Sequence, residues 1–471
     1  MNSNFLRMTR RLFVPSTLSL LVALSGQARA QTQQQTAQAP DMQQMQKKLE
    51  QLEKEMAELK QQMAAAQQLS KQAVVGPSVP VETETRQAEE NAEQAKPSGS
   101  INFYGFAMLD SGYNFGAINP NWFDTMRPTQ LPAAPGEFGP SGSTFWGVRQ
   151  TRFGVKTFTP TSLGDLKTIF EFELFGTGVD AGQTTFRLRH AWGELGHFGA
   201  GQTWSPFMDI DVFPNSLEYW GPNGMVFFRN VQFRWTPIQG SSNVVVALER
   251  PGASADQGVY ADRIELEHSI SPQFKWPDLS GHARYAGEWG YVQVAAIVRK
   301  IAWVDTSPTT VNLSGTAIGW GVNTTSNINF TKKDVARLAV VYGHGVENYM
   351  NDAPVDIGVQ NNFSNPRQPI KGVALPVLGI VAFVDHTWSE RFSTSVGYSL
   401  VNIDNSNGQN PNDFHQGHYA LGNLLYHPVK QVTMGGEFQF GRRVNFADPF
   451  SYNDYKLQFS FRYDWSKGFE F

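Results

Sequence analysis

The chain has 471 residues, 17% charged and 13% aromatic, with 43 Gly, no Cys and a formal net charge of −4. The absence of Cys excludes disulfide frameworks, thiolate metal sites and Cys nucleophiles. The mildly acidic balance gives no basic field for nucleic acid, and low charge beside high aromatic and Gly usage is unlike an ordinary soluble protein.

Residues 1–30 read as a secretory leader. Arg7, Arg10 and Arg11 form a basic start, Leu18 to Leu24 a short apolar run, and Ala28-Arg29-Ala30 a small-x-small cleavage site. The run is too short for a membrane anchor, and no later stretch holds 18 consecutive apolar residues. The leader carries four of the 38 basic residues and none of the 42 acidic ones, so the exported chain is more acidic still.

Residues 31–70 form a Gln-rich segment leading into a helix. Met42, Met45, Leu49, Leu52, Met56, Leu59, Met63 and Ala66 alternate steps of three and four, with only Gln, Glu, Lys and Ala between them. That is the seam of a coiled coil. So few heptads are marginal alone, which implies that assembly is specified elsewhere. Pro77, Pro80, Pro97 and a run of Glu make residues 71–99 a solvated linker.

From residue 100 to 471 the pattern changes to period-two alternation. Phe170, Phe172 and Leu174 alternate with Glu171 and Glu173. Val231, Phe233 and Trp235 alternate with Gln232 and Arg234. Leu457, Phe459, Phe461, Tyr463 and Trp465 alternate with Gln458, Ser460, Arg462 and Asp464. A soluble sandwich would alternate too. Segment length, aromatic ends and charged opposite faces favour an all-β transmembrane β-barrel of about 16 antiparallel strands behind an N-terminal coiled-coil helix. Sixteen strands allow about 23 residues each and eighteen about 21, so length leaves both open. Phe471 closes a same-face row with Trp465 and Phe469, which looks like the terminal aromatic signal of outer-membrane barrel insertion.

Strand parity assigns inward residues. The set is Arg152, Lys156, Lys167, Arg187, Arg189, Arg234, Arg299, Arg337, Arg443, Lys456 and Arg462, against Glu171, Glu173, Glu437 and Asp464: 11 basic, 4 acidic. Charged rings set ion preference in an aqueous pore, and guanidinium groups bind carboxylates bidentately. Arg152, Lys156, Arg187, Arg189, Arg234, Arg299 and Arg337 are therefore the predicted solute-binding wall. Arg187 and Arg189 lie about 6.6–7 Å apart on one strand, a span suited to the two ends of a short dicarboxylate. Some of these arginines are expected to pair with Glu171 and Glu173 instead. Residues 205–228 form a long excursion carrying Asp209, Asp211 and Glu218. There is no GxSxG, HExxH, GxGxxG or P-loop, so no catalytic, metal or cofactor site is expected.

Three segments are more specific: NFYGFAMLDSGYNFGAINPNWFDTMRPTQLP (102–132), RQTRFGVKTFTP (149–160) and FRLRHAWGELGHFGAGQTWSPFMD (186–209). Together they resemble the DcaP-like family of outer-membrane porins. The resemblance implies a homotrimer of 16-stranded barrels with periplasmic N-terminal helices. It also implies uptake of small organic anions, notably dicarboxylates. In porins of the general type the third long loop folds into the lumen. Residues 205–228 are accordingly expected as a constriction loop, with Asp209, Asp211 and Glu218 opposing the basic wall; a loop at the trimer rim is the alternative. Expected partners are outer-membrane lipid, small anionic solutes and further copies of the chain, with no nucleic acid. The alternative function is a structural outer-membrane anchor whose stalk contacts the periplasm or peptidoglycan.

Overall fold

The structure is a computed structural model that describes residues 99–260, 269–307 and 310–471. The leader, the heptad helix and nearly all of the linker expected for residues 1–99 lie outside the described residues.

Twenty strands occur in chain order among the described residues. They are β1 Ser100–Asn114, β2 Ser143–Gly147, β3 Arg152–Thr161, β4 Gly164–Phe175 and β5 Thr184–Leu195. Next come β6 Phe198–Trp204, β7 Arg229–Ile238, β8 Asn243–Glu249, β9 Ile270–Pro272 and β10 Asp278–Gly287. Then follow β11 Gly290–Asp305, β12 Gly315–Asn329, β13 Asp334–His344, β14 Ile357–Asn361 and β15 Ile370–Ala374. The last are β16 Pro376–Ser389, β17 Phe392–Ile403, β18 Phe414–Val429, β19 Val432–Asn445 and β20 Ser451–Glu470.

β14 and β15 pair only with each other. β2 and β3 pair with successive stretches of β1 and fill one wall position. β9 and β10 fill another, both against β11. β20 closes on β1 from Ser100↔Glu470 to Asn114↔Lys456. The wall is therefore a closed antiparallel barrel of 16 positions, which decides between the two counts that length left open. Closure leaves no strand edge, as a membrane requires.

The chain ends meet at one rim, where Phe471 N donates to Gly99 O (2.9 Å). That rim also holds the short connections, none longer than residues 239–242 or 330–333. The opposite rim holds the long loops: L1 115–142, L2 176–183, L3 205–228, the described parts of L4 (250–260 and 273–277) and of L5 (306–307 and 310–314), L6 345–375, L7 404–413 and L8 446–450. In barrels of this class the short turns are periplasmic. Alternation is explicit in burial: Phe186 is 79% exposed on the outer face while Glu173 is 1% exposed on the inner. Aromatic bands flank the apolar belt. Phe153 and Trp465 stack at 5.8 Å near the turn rim, and Trp320 and Tyr342 meet edge-on at 5.9 Å towards the loop rim.

The apolar core lies inside the barrel. Phe207, Met208 and Val226 of L3 and Val346, Tyr349 and Met350 of L6 pack on Ala295, Ile297, Val341, Val377 and Val401 of the wall. A second cluster joins Met126 and Leu131 of L1 and Val212 and Met225 of L3 to Tyr291, Ala339, Phe383 and Tyr419. Three loops thus fill one side of the lumen.

Candidate functional site

L3 turns into the lumen and follows the wall strand by strand. Tyr291 on β11 and Thr325 on β12 donate to Asp209 Oδ2 at 2.8 and 2.6 Å. Arg284 on β10 donates to Asp209 Oδ1 (2.6 Å) and also holds Asp211. Arg337 on β13 binds Asp385 and the Asp211 carbonyl. Further on, Glu437 on β19 accepts from the amides of Leu217 (2.7 Å) and Glu218 (3.1 Å). Glu218 in turn accepts from Met126 N of L1 (3.1 Å). L3 then crosses to β4 and β5, where Tyr219 meets Glu173 and Arg187. On its return Gly224 lies on β16 and β17: its N donates to Ser399 Oγ (2.9 Å), and a Cβ there would overlap the Leu400 carbonyl oxygen. Only glycine fits such a close approach.

This path corrects the role expected of the three acids. The loop is in the lumen and not at the rim, but Asp209, Asp211 and Glu218 do not oppose the basic wall. They are buried anchors that fix the loop to the wall and to L1. Arg299 and Arg337 are likewise no open anion sites. Arg299 holds Asp278 (2.9 Å) and Asp356 (3.0 Å) beneath L6, and it is 1% exposed. Arg337 is 4% exposed and committed to Asp385. The count of 11 basic to 4 acidic residues also covers only part of the wall. The strands it left out place Asp110, Glu249, Asp278 and Asp385 on the buried inner face, and β20 itself adds Asp454.

The wall of β3 to β7 differs. Arg189 binds Glu171 (2.6 Å) and Glu173 (2.8 Å), and Arg187 binds Glu173. Arg152 lies 3.7 Å from both carboxylates, and Arg229 lies 3.7 Å from Glu173. Among the described residues, four guanidinium groups gather around these two carboxylates. The expected dicarboxylate clamp between Arg187 and Arg189 is corrected by this geometry: both already hold the protein's own glutamates, and the Arg189 side chain is 1% exposed. Arg234 donates to Gln232 (3.1 Å) and to the Trp204 carbonyl. Lys156 sits 5.2 Å from the Tyr104 ring centroid, and Arg462 pairs with Asp464.

Arg127, Arg187 and Arg229 border a cavity of about 420 Å³ between L1, L2, L3, L6 and the strands β5, β6 and β7. Its walls include Trp122, Tyr219, Trp220, Phe227 and Phe228. Arg127 lies between the indoles of Trp122 and Trp220, 4.1 Å from each centroid, and pairs with Asp352 of L6 (2.9 Å). One side chain so joins three loops above the cavity. Arg229 stacks over Trp204 at 4.6 Å, and its buried Nη1 has no hydrogen-bond partner. Glu347 of L6 also borders the cavity and is buried; burial and the adjacent Asp356 push its carboxyl well above the usual carboxylate range.

Arg127 and Arg229 escaped sequence reasoning. Arg127 is on a loop, without parity. Arg229 shares parity with the lipid-facing Val231, but it is the first residue of β7, where the chain leaves L3, and it lines the cavity instead.

Fold and site together define an outer-membrane channel barrel narrowed by inward loops. The chain belongs to the DcaP outer membrane protein family, whose sequence profile matches residues 24–463. Among solved structures it is similar to the outer membrane channel DcaP of Acinetobacter baumannii, with 18% identity and a TM-score of 0.64 over 79% of this chain and 99% of that one. It is more distantly similar to an anion-selective porin from Comamonas acidovorans, with 11% identity and a TM-score of 0.48 over 78% and 100% of the two chains. A loop-deletion mutant of OmpT from Vibrio cholerae matches with 13% identity and a TM-score of 0.47 over 78% and 100%. No curated protein matches the sequence.

Proposed function

We propose that the protein is a passive, anion-preferring channel for small organic acids. The observation that carries this reading is the gathering of the guanidinium groups of Arg152, Arg187, Arg189 and Arg229 on one stretch of inner wall, around Glu171 and Glu173 beside the lumenal cavity. In a confined aqueous passage such a field raises local anion concentration. The sequence resemblance suggests dicarboxylates within that class. It also suggests a homotrimer, with the heptad helix of residues 31–70 in the periplasm after removal of residues 1–30.

Reversal potential in a KCl gradient tests the reading. The parent channel should favour chloride, and the double variant Arg187→Gln/Arg229→Gln should move toward cations. A cation-selective parent contradicts the reading. A barrel that carries no current supports the anchor alternative instead.

A further inference from the structure

We propose that the outer face of β8, β10 and β11, at the loop rim, binds the phosphorylated headgroup of an outer-leaflet glycolipid, an inference independent of what the lumen conducts. Cross-strand pairing brings three cations together there. Leu248, Leu279 and Val298 lie side by side on the three strands and face outward. In the next row Glu249, Asp278 and Arg299 turn inward, and Arg299 binds Asp278 (2.9 Å). One residue further on, Arg250 and Lys300 turn outward again and are exposed. Two strand spacings set their backbones about 10 Å apart. Between them the chain bulges. Pro272 pairs with Trp303 and Leu279 with Val298, so residues 273–278 oppose only 299–302. The bulge brings Lys275 and Trp276 to the surface, the indole residue 63% exposed.

These cations sit at headgroup depth. The loop rim is the one away from the periplasmic turns. Trp320 pairs with Val298 in the aromatic band, and Lys300 is the next outward residue of β11 beyond it. On the other side of the cations, Val246, Leu248, Leu279, Val294 and Val298 offer acyl chains an exposed apolar stripe. Cations on a lipid-facing wall are tolerated near the interface, where they reach headgroups by snorkelling. Among the described residues none of the three has a carboxylate partner, and the acids of the adjacent row, Glu249 and Asp278, face the lumen. Guanidinium and ammonium groups bind phosphate through charge-assisted hydrogen bonds, and clusters of them at a membrane surface attract anionic headgroups. Cations spread over about 10 Å exceed the reach of one phosphodiester. A sugar headgroup bearing two phosphates spans them, and Trp276 adds an amphipathic ring at that level.

Native mass spectrometry of the full-length protein in detergent tests the site, with lipid A carrying both phosphates as the probe. The parent should bind it at least roughly tenfold more tightly than the triple variant Arg250→Gln/Lys275→Gln/Lys300→Gln. Lys467→Gln removes a cation near the turn rim, beside Phe469, and should leave binding unchanged. Dephosphorylated lipid A should bind the parent as weakly as lipid A binds the triple variant. That comparison uses the parent alone, so it decides the matter even if the triple variant fails to fold. Equal binding of lipid A by parent and triple variant, or of both lipids by the parent, overturns the inference. Displacement of lipid A by equimolar inorganic phosphate overturns it too, by assigning the cations to free phosphate. So does a triple variant that keeps its lipid and loses its oligomeric state on native gels, which would make this face a contact between copies of the chain.

Discussion

The two sides of the lumen use the same residue types to opposite ends. Along β10 to β13, Arg284, Arg299 and Arg337 each meet buried aspartates, and L3 and L6 are fixed there over a dry apolar core. Along β3 to β7, four guanidinium groups gather around two carboxylates among the described residues, and Arg187 and Arg229 border an open cavity. Inward orientation is common to both sides. What separates an anchor from a selectivity element is the number of carboxylates within reach, including those delivered by distant loops.

Breaking the anchored side should have the largest effect. Arg284→Met leaves Asp209 and Asp211 buried without their cation, a loss of about 3–5 kcal/mol for L3 docking. Single-channel conductance should rise as the loop leaves the wall, and unchanged conductance would show that the loop does not narrow the passage. Gly224→Val attacks the same docking from the backbone, at about 1–3 kcal/mol. It should also raise conductance, by less, and limited proteolysis should newly cut within 205–228.

Arg127→Met probes where the two sides meet. It removes a guanidinium held between two indoles, worth about 1–2 kcal/mol, and leaves Asp352 without its cation, held only by Thr129. Current traces should show more frequent open-level fluctuation, since L1, L3 and L6 lose their common contact. Steady traces would place the junction elsewhere.

The smallest effect concerns pH. Glu347 titrates higher when buried than when L6 is undocked. Its contribution to docking is fully present below the undocked carboxyl's pKa and is lost as pH rises through the raised, docked value. Fluctuation should therefore increase on the alkaline side, and Glu347→Gln should flatten that dependence. An equally steep dependence in the variant would assign it to another group.

Much of the wall was legible because membrane strands enforce one period on both faces: Phe170 and Glu171 announce their sides without any partner. β12 alternates too, with Ile318, Trp320 and Val322 outward, but the small inner residues Gly319 and Gly321 carry no charge to announce their side. Register shifts at Glu171/Phe172 bury both Arg189 and His190, which simple parity places on opposite faces. The roles of the arginines were less legible than their direction. Arg127 pairs with Asp352 across 225 positions, and Arg337 meets Asp385 across 48. Such partners are set by where L3 and L6 dock, and no local spacing encodes that. Arg229 shows the same limit, since the end of a loop decides its direction.

Reversal potential in a salt gradient, measured side by side for Arg229→Gln and Arg299→Gln, tests the central claim most directly. Both variants remove one inward cation. Arg229→Gln should reduce chloride preference clearly, while Arg299→Gln should keep the parent's preference and lower thermal stability instead. Equal loss of chloride preference in both would show that any inward arginine selects, and would contradict the division of the lumen into an anchored and a selecting side.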